Sequence, residues 1–333
     1  MKKILKIVMG CLVSVVALYV VFKDVDAQAL SASFSKVSWW PVLPYLGFFV
    51  CHVFCRSLRW RYLLPQPQQQ RPPLRVLFDS MMLGNLATFL LPFRLGEFIR
   101  PLVLTRWTEY SFASSFASVV IERFFDLSAV LLSFVVIVQM LPDLPQWLHV
   151  AALSLGTISL GLLLFLVGAC LFPSLIVRCV RFFLAPLPTT IEQRLLRFVS
   201  DLVDGAAVIR TPSRLLAILG LTAVVWLTAY LQFYALLFMF PFNTSFLLSV
   251  ALGVFVALAI ALPSAPGFLG VFQIGCVAAF NLFLYPSTDA QVYSIIAHAL
   301  TYALTIVIGF WLIAAHNLNL FELKKAAEQG ASE

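Results

Sequence analysis

The chain has 333 residues, 62% of them hydrophobic and only 11% charged, with a formal net charge of +7. A soluble domain carries about 25% charged residues, so this chain cannot clothe a water-facing surface. The expected class is all-α: a polytopic transmembrane helical bundle forming one integral membrane domain over residues 1–333.

In chain order, Ile4–Phe22 is the first block near the ~20 residues that a spanning helix needs. Lys2 and Lys3 precede it and set the N-terminus in the cytoplasm. Its length favours a retained anchor over a cleaved signal with Asp26-Ala27-Gln28-Ala29 as the site. Further spans read as Pro41–Leu58, Phe124–Leu141, Val150–Phe172, Leu215–Phe240 and Val292–Ala315. Two Pro/Gly-interrupted apolar segments, 76–105 and 246–284, are expected to be re-entrant hairpins. That leaves six full crossings and both termini in the cytoplasm.

The basic residues agree with this path. Lys2, Lys3, Lys6, Arg56, Arg59, Arg61, Arg71, Arg75, Arg106, the arginines of the 178–214 stretch, Lys324 and Lys325 fall on the inside, while the outer loops receive Lys23 and Lys36. The positive charge therefore reports topology rather than nucleic-acid binding. Making 76–93 a full crossing would demand an extra span near Ser111–Ile121, which is too short. The polar stretch 178–214 reads as a cytoplasmic amphipathic helix, with Leu195, Leu196, Val199, Leu202 and Val203 at helical spacing. The six cysteines match no disulfide or metal spacing and read as packing residues.

Pro92-Phe93-Arg94-Leu95-Gly96-Glu97-Phe98 matches Pro266-Gly267-Phe268-Leu269-Gly270-Val271-Phe272 at its Pro, Leu, Gly and final Phe. Each copy follows a Leu-Gly pair, Leu83-Gly84 and Leu252-Gly253. Units 41–141 and 215–315 are then an inverted repeat, and paired broken helices in corresponding halves point to a transport site near the midplane. Pro92 and Gly96, like Pro263, Pro266, Gly267 and Gly270, interrupt the helix. The exposed backbone must be buried in protein or line a wet cavity. The helix following each break offers a positive end suited to a phosphate. Breaks that serve packing alone are the competing reading.

Arg94, Glu97, Arg100, Glu122, Arg123 and Asp126 lie in or beside apolar sequence, where each ionised group costs about 2.5–3.5 kcal/mol at a helix centre. They must pair or meet water. Three arginines against three carboxylates fit a structural salt-bridge network, or a site whose carboxylates hold arginines ready for a phosphate. Asn85, Gln273 and His298 add neutral polar groups to apolar segments. No nucleotide loop, zinc helix or nucleophile elbow is present, so neither a cofactor nor a metal is expected.

The ordered set resembles the flippase-like membrane family typified by the transmembrane region of bacterial lysylphosphatidylglycerol synthase. The set comprises Asn85, Pro92, Arg94, Gly96, Glu97 and Arg100, then Glu122-Arg123 with Asp126, then Pro263-x-x-Pro266-Gly267-x-x-Gly270 and His298. The resemblance spans nearly the whole chain and implies lipid translocation. Many members of that family carry Glu where this chain has Gln273. With the sequence ending at Glu333, the synthase's soluble aminoacyl-transferase domain is expected to be absent, and lipid aminoacylation with it. The expectation is a non-enzymatic transporter in the cell membrane whose partners are polar or anionic lipids. A lipid-synthesis enzyme and a second copy of the chain stay open as further partners. The alternatives are a membrane transferase acting on a lipid-linked substrate, and a non-transporting scaffold.

Overall fold

A computed structural model describes residues 2–23, 26–65, 71–91, 95–141, 144–184, 192–193, 195–196, 210–241, 244–262 and 264–319. Among these residues there is helix and no strand. The helices are α1 (Lys2–Phe22), α2 (Ala27–Ser35), α3 (Val42–Leu63), α4 (Leu74–Leu90), α5 (Gly96–Trp107), α6 (Phe112–Met140), α7 (Gln146–Leu171), α8 (Pro173–Leu184), α9 (Pro212–Leu237), α10 (Phe246–Ile260), α11 (Val271–Leu282) and α12 (Ser287–Ala315), with a 3-10 turn at Pro266–Phe268. Every apolar block expected to span is helical, and both interrupted segments resolve into two helices around a break. Gln146–Phe165, α9 and α12 are long and apolar enough to cross a membrane by length and composition.

Two boundaries differ from the sequence reading, and both matter. The span expected at Phe124–Leu141 begins at Phe112, so the short block 111–121 is the first third of a single helix. Ser111 caps it in an extended conformation, its side chain accepting from the Ser114 N–H; no Pro or Gly interrupts the run to Met140. Glu122, Arg123 and Asp126 are therefore mid-helix residues. Likewise α3 continues to Leu63, five residues past the expected end. Arg59, which fell just past the expected span, lies inside the helix with Arg56.

Of the amphipathic stretch expected at 178–214, α8 carries the N-terminal part, with Arg178 and Arg181 exposed. Leu195 and Leu196 are helical, while Val199, Leu202 and Val203 lie outside the described residues. The α2 helix had no counterpart in the sequence reading. Asp26 caps it, accepting from the Gln28 N–H at 2.9 Å.

The chain forms two compact units. The first comprises Met1–Val53, Met82–Ile99 and Trp226–Glu333, and the second Phe54–Met81 and Arg100–Val225. In the first, α10 and α11 pack as a hairpin and α11 also rests on α1 and α12. The Ser33 hydroxyl donates to Asp289 at 2.7 Å, fastening α2 to the start of α12. In the second, α6 and α7 pack along each other, with the Ser159 hydroxyl donating to the Ser128 carbonyl at 3.2 Å.

Candidate functional site

The second unit holds an ion cluster built from α3, α5 and α6. The Glu122 side chain is fully buried and receives three guanidiniums. Arg100 Nη2 donates to Oε2 at 2.7 Å, while Arg59 Nη2 at 3.0 Å and Arg56 Nη2 at 3.3 Å share Oε1. Arg59, also fully buried, turns Nη1 to Asp126 Oδ1 at 2.7 Å and to the Thr222 hydroxyl at 3.2 Å. The half-exposed Arg123 meets Asp126 Oδ2 at 3.5 Å. The Arg100 guanidinium lies 3.8 Å from the centre of the Trp60 ring, a cation–π contact. Trp60 is itself fixed by donating to the Ser118 hydroxyl at 2.8 Å.

Helical geometry explains the assembly. Arg56 and Arg59 are three apart on α3, and Glu122 and Asp126 four apart on α6, so each pair shares one face of its helix. The ion pairs join four guanidiniums (Arg56, Arg59, Arg100, Arg123) to two carboxylates (Glu122, Asp126). An arginine-rich site with its guanidiniums already oriented by carboxylates suits a phosphate oxyanion.

The first unit holds the two breaks. In the first, Leu95 opens the helix, its carbonyl accepting from Phe98 N and Ile99 N at 3.0 and 2.9 Å. Gly96 crosses α4 so closely that a Cβ there would run into the Gly84 carbonyl and the Thr88 side chain; only glycine fits. Glu97 occupies the first turn of α5, where a carboxylate complements the positive helix end. The end that looked ready for an incoming anion therefore carries its own negative charge. Asn85 on α4 is half-buried, as is Glu97. Pro92, Arg94 and Pro263 lie outside the described residues.

The second break is held by a chain of hydrogen bonds whose directions can be read off. The Gly267 carbonyl can only accept, so His298 Nε2, 2.7 Å away, carries the proton. His298 Nδ1 then accepts from Gln273 Nε2 at 3.1 Å, and Gln273 Oε1 accepts from the Gly270 N–H at 2.8 Å. A neutral imidazole and an amide thus match donor to acceptor at each link of this chain. This gives Gln273 a structural role at the break. His298 also stacks on Phe272 with ring centres 4.7 Å apart.

Gly270 has φ +84° and abuts α1, where a Cβ would come within 2.6 Å of the Ser14 carbonyl oxygen. The Ser14 hydroxyl accepts from Ala265 N at 2.9 Å. The start of α11 is therefore covered by the first helix of the chain rather than open as an anion site. Pro266 opens the 3-10 turn between the two. The two breaks themselves meet: the Phe89 ring, at the end of α4, packs edge-on against Phe268 at 5.9 Å and Tyr302 at 5.1 Å.

A model of the family described as Lysylphosphatidylglycerol synthase TM region matches residues 7–309. The chain belongs to that family. It is a membrane protein of lipid-related function. No curated protein and no solved structure matches it.

Of the six charges singled out from the sequence, Arg94 lies outside the described residues. Arg100, Glu122, Arg123 and Asp126 join one cluster, together with Arg56 and Arg59, which the sequence reading missed. The available signal was the i,i+3 spacing of two arginines at the end of an apolar block, facing acids at i,i+4 on another helix. Among the described residues no group of three or more His, Cys, Asp or Glu side chains could hold a metal ion.

Proposed function

We propose that this membrane protein translocates a lipid with a polar or anionic headgroup across the cell membrane. The observation that carries the reading is the meeting of the two interrupted helix pairs at their breaks, Phe89 against Phe268. Discontinuous helices apposed in this way are the usual site of substrate handling in transporters. On this reading α4–α5 and α10–α11 are re-entrant hairpins from opposite faces, within the inverted units 41–141 and 215–315. Six helices cross fully, and both termini are cytoplasmic.

The headgroup phosphate exchanges among the guanidiniums of Arg56, Arg59 and Arg100, which Glu122 and Asp126 keep oriented, while the acyl chains remain in the bilayer. The break helices move as the alternating element. At the second break the Gly270 N–H, the Gly267 carbonyl and the Ala265 N–H are met by Gln273, His298 and Ser14. Transport of this kind needs no covalent chemistry on the lipid, so the chain is read as a transporter rather than an enzyme.

The test is native mass spectrometry of the protein with its co-purified lipids. Wild type is expected to retain an anionic lipid, and Arg100→Gln and the milder Arg56→Gln to lose it. Identical lipid content in all three would remove the cluster from the transport site. Reporter fusions at Arg106 and Pro286 check the hairpins, which are expected to lie inside and outside respectively.

A further inference from the structure

A second group of arginines in the second unit has no acidic partner among the described residues. Arg61 lies in the last turn of α3, Arg71 just before α4, and Arg214 in the first turn of α9. The Tyr110 hydroxyl, between α5 and α6, lies in the electrostatic field of all three, and Arg214 in that of Arg71 and Tyr62. The Arg71 guanidinium sits 6.0 Å from the centre of the Tyr62 ring. The Tyr110 hydroxyl donates to the Pro65 carbonyl at 3.2 Å, which pins the loop after α3 beside these arginines.

None of the three arginines joins an ion pair among the described residues. Arg61 Nε and Arg214 Nη2 are buried without a hydrogen-bond partner among the described residues. Three like charges held together, two with a stranded N–H, are unfavourable as they stand. A tetrahedral oxyanion would relieve both problems at once, accepting from the buried N–H groups and neutralising the repulsion. Glu109, the chain neighbour of Tyr110, is exposed and joins no ion pair with them among the described residues.

The geometry points to a phosphate-binding site formed by Arg61, Arg71 and Arg214, separate from the Glu122 cluster. Every contributing residue is at or beside a helix end, and tyrosines flank the charges, the arrangement found where a bundle meets the headgroup layer. A phosphate can reach the site from either of two sources: the headgroup of an anionic lipid held at the edge of the bundle, or a soluble phosphate. The shared chemistry is recognition of the oxyanion by guanidiniums, and the two sources differ in whether acyl chains add affinity. Either ligand would bridge the end of α3, the approach to α4 and the start of α9.

The experiment uses the full chain, delipidated in a neutral detergent and titrated calorimetrically with three probes: dihexanoylphosphatidylglycerol, dihexanoylphosphatidylcholine and inorganic phosphate. Wild type is expected to bind the phosphatidylglycerol more tightly than the zwitterionic lipid, and added salt to weaken it. Arg71→Gln, at an exposed position that carries little folding risk, should weaken binding about tenfold, as loss of one charged hydrogen bond implies. Arg71→Lys should recover part of it, and the triple change Arg61→Gln, Arg71→Gln, Arg214→Gln should abolish it. Removing the same kind of charge from α8, by Arg178→Gln with Arg181→Gln, should leave it intact. Competition by inorganic phosphate at similar concentration assigns the site to a soluble anion, and indifference to inorganic phosphate assigns it to lipid. Binding unchanged in the triple variant, or wild type that binds none of the probes, overturns the proposal.

Discussion

Glu122→Gln removes one charge and almost no volume from a position that three guanidiniums contact. Oε1 serves Arg59 and Arg56, and Oε2 serves Arg100 at 2.7 Å. An amide keeps one oxygen, so whichever way it turns, an NH2 group faces a guanidinium donor to donor. Breaking a buried pair by removing one partner costs about 3–5 kcal/mol, against a total stability of roughly 5–15 kcal/mol for a domain. Equilibrium unfolding in mixed micelles should show a loss in that range. Asp126→Asn should lose less, because Asp126 is partly exposed and holds one buried arginine instead of two. The reasoning also predicts coupling. Adding Arg100→Leu to Glu122→Gln should recover part of the loss, since the stranded charge goes with it. A Glu122→Gln protein within about 1 kcal/mol of wild type, or a double variant no better than the single, would refute the cluster as an interdependent unit.

Other outcomes follow from the breaks. Gly96→Ala forces a methyl into the Gly84 carbonyl and Thr88 and should cost at least the roughly 1–3 kcal/mol typical of overpacking. Gly161→Ala, with nothing within 4 Å of the added Cβ, should be neutral or slightly stabilising in the same unfolding assay. His298→Phe keeps the stack on Phe272 but strands the Gly267 carbonyl and the Gln273 amide, a loss of about 1–3 kcal/mol for each unsatisfied group. Ser14→Ala should cost about 1 kcal/mol and speed backbone hydrogen exchange at Ala265, because its side chain is the acceptor for that N–H.

The helices were legible because apolar runs of spanning length have few other solutions, and the breaks because Pro and Gly interrupt them at matching places. The ion cluster was half legible. Glu122 and Asp126 announce themselves as acids in an apolar helix. Arg59, by contrast, stood at the edge of its block and resembled the interfacial arginines around it. Only the extension of α3 to Leu63, which no composition signal marks, turns it inward onto α6. The covering of the second break by α1 was hidden for a different reason. An all-apolar anchor gives no hint of which neighbour it will pack against, and the informative residues, Ser14 and Gly270, are meaningful only as a pair. Of the two helix ends read as anion sites, one carries Glu97 in its own first turn, and the other starts at Gly270, whose N–H donates to Gln273 and whose Cα abuts α1.

The most direct test of lipid translocation is the rate of transbilayer movement in vesicles reconstituted with the purified chain. Fluorescent analogues of the host's own anionic and zwitterionic lipids would be followed by quenching from outside. The account predicts that wild type accelerates the movement of at least one class well above protein-free vesicles, and that Arg100→Gln, reconstituted to the same density, does not. A wild-type rate equal to that of protein-free vesicles for every class would contradict it.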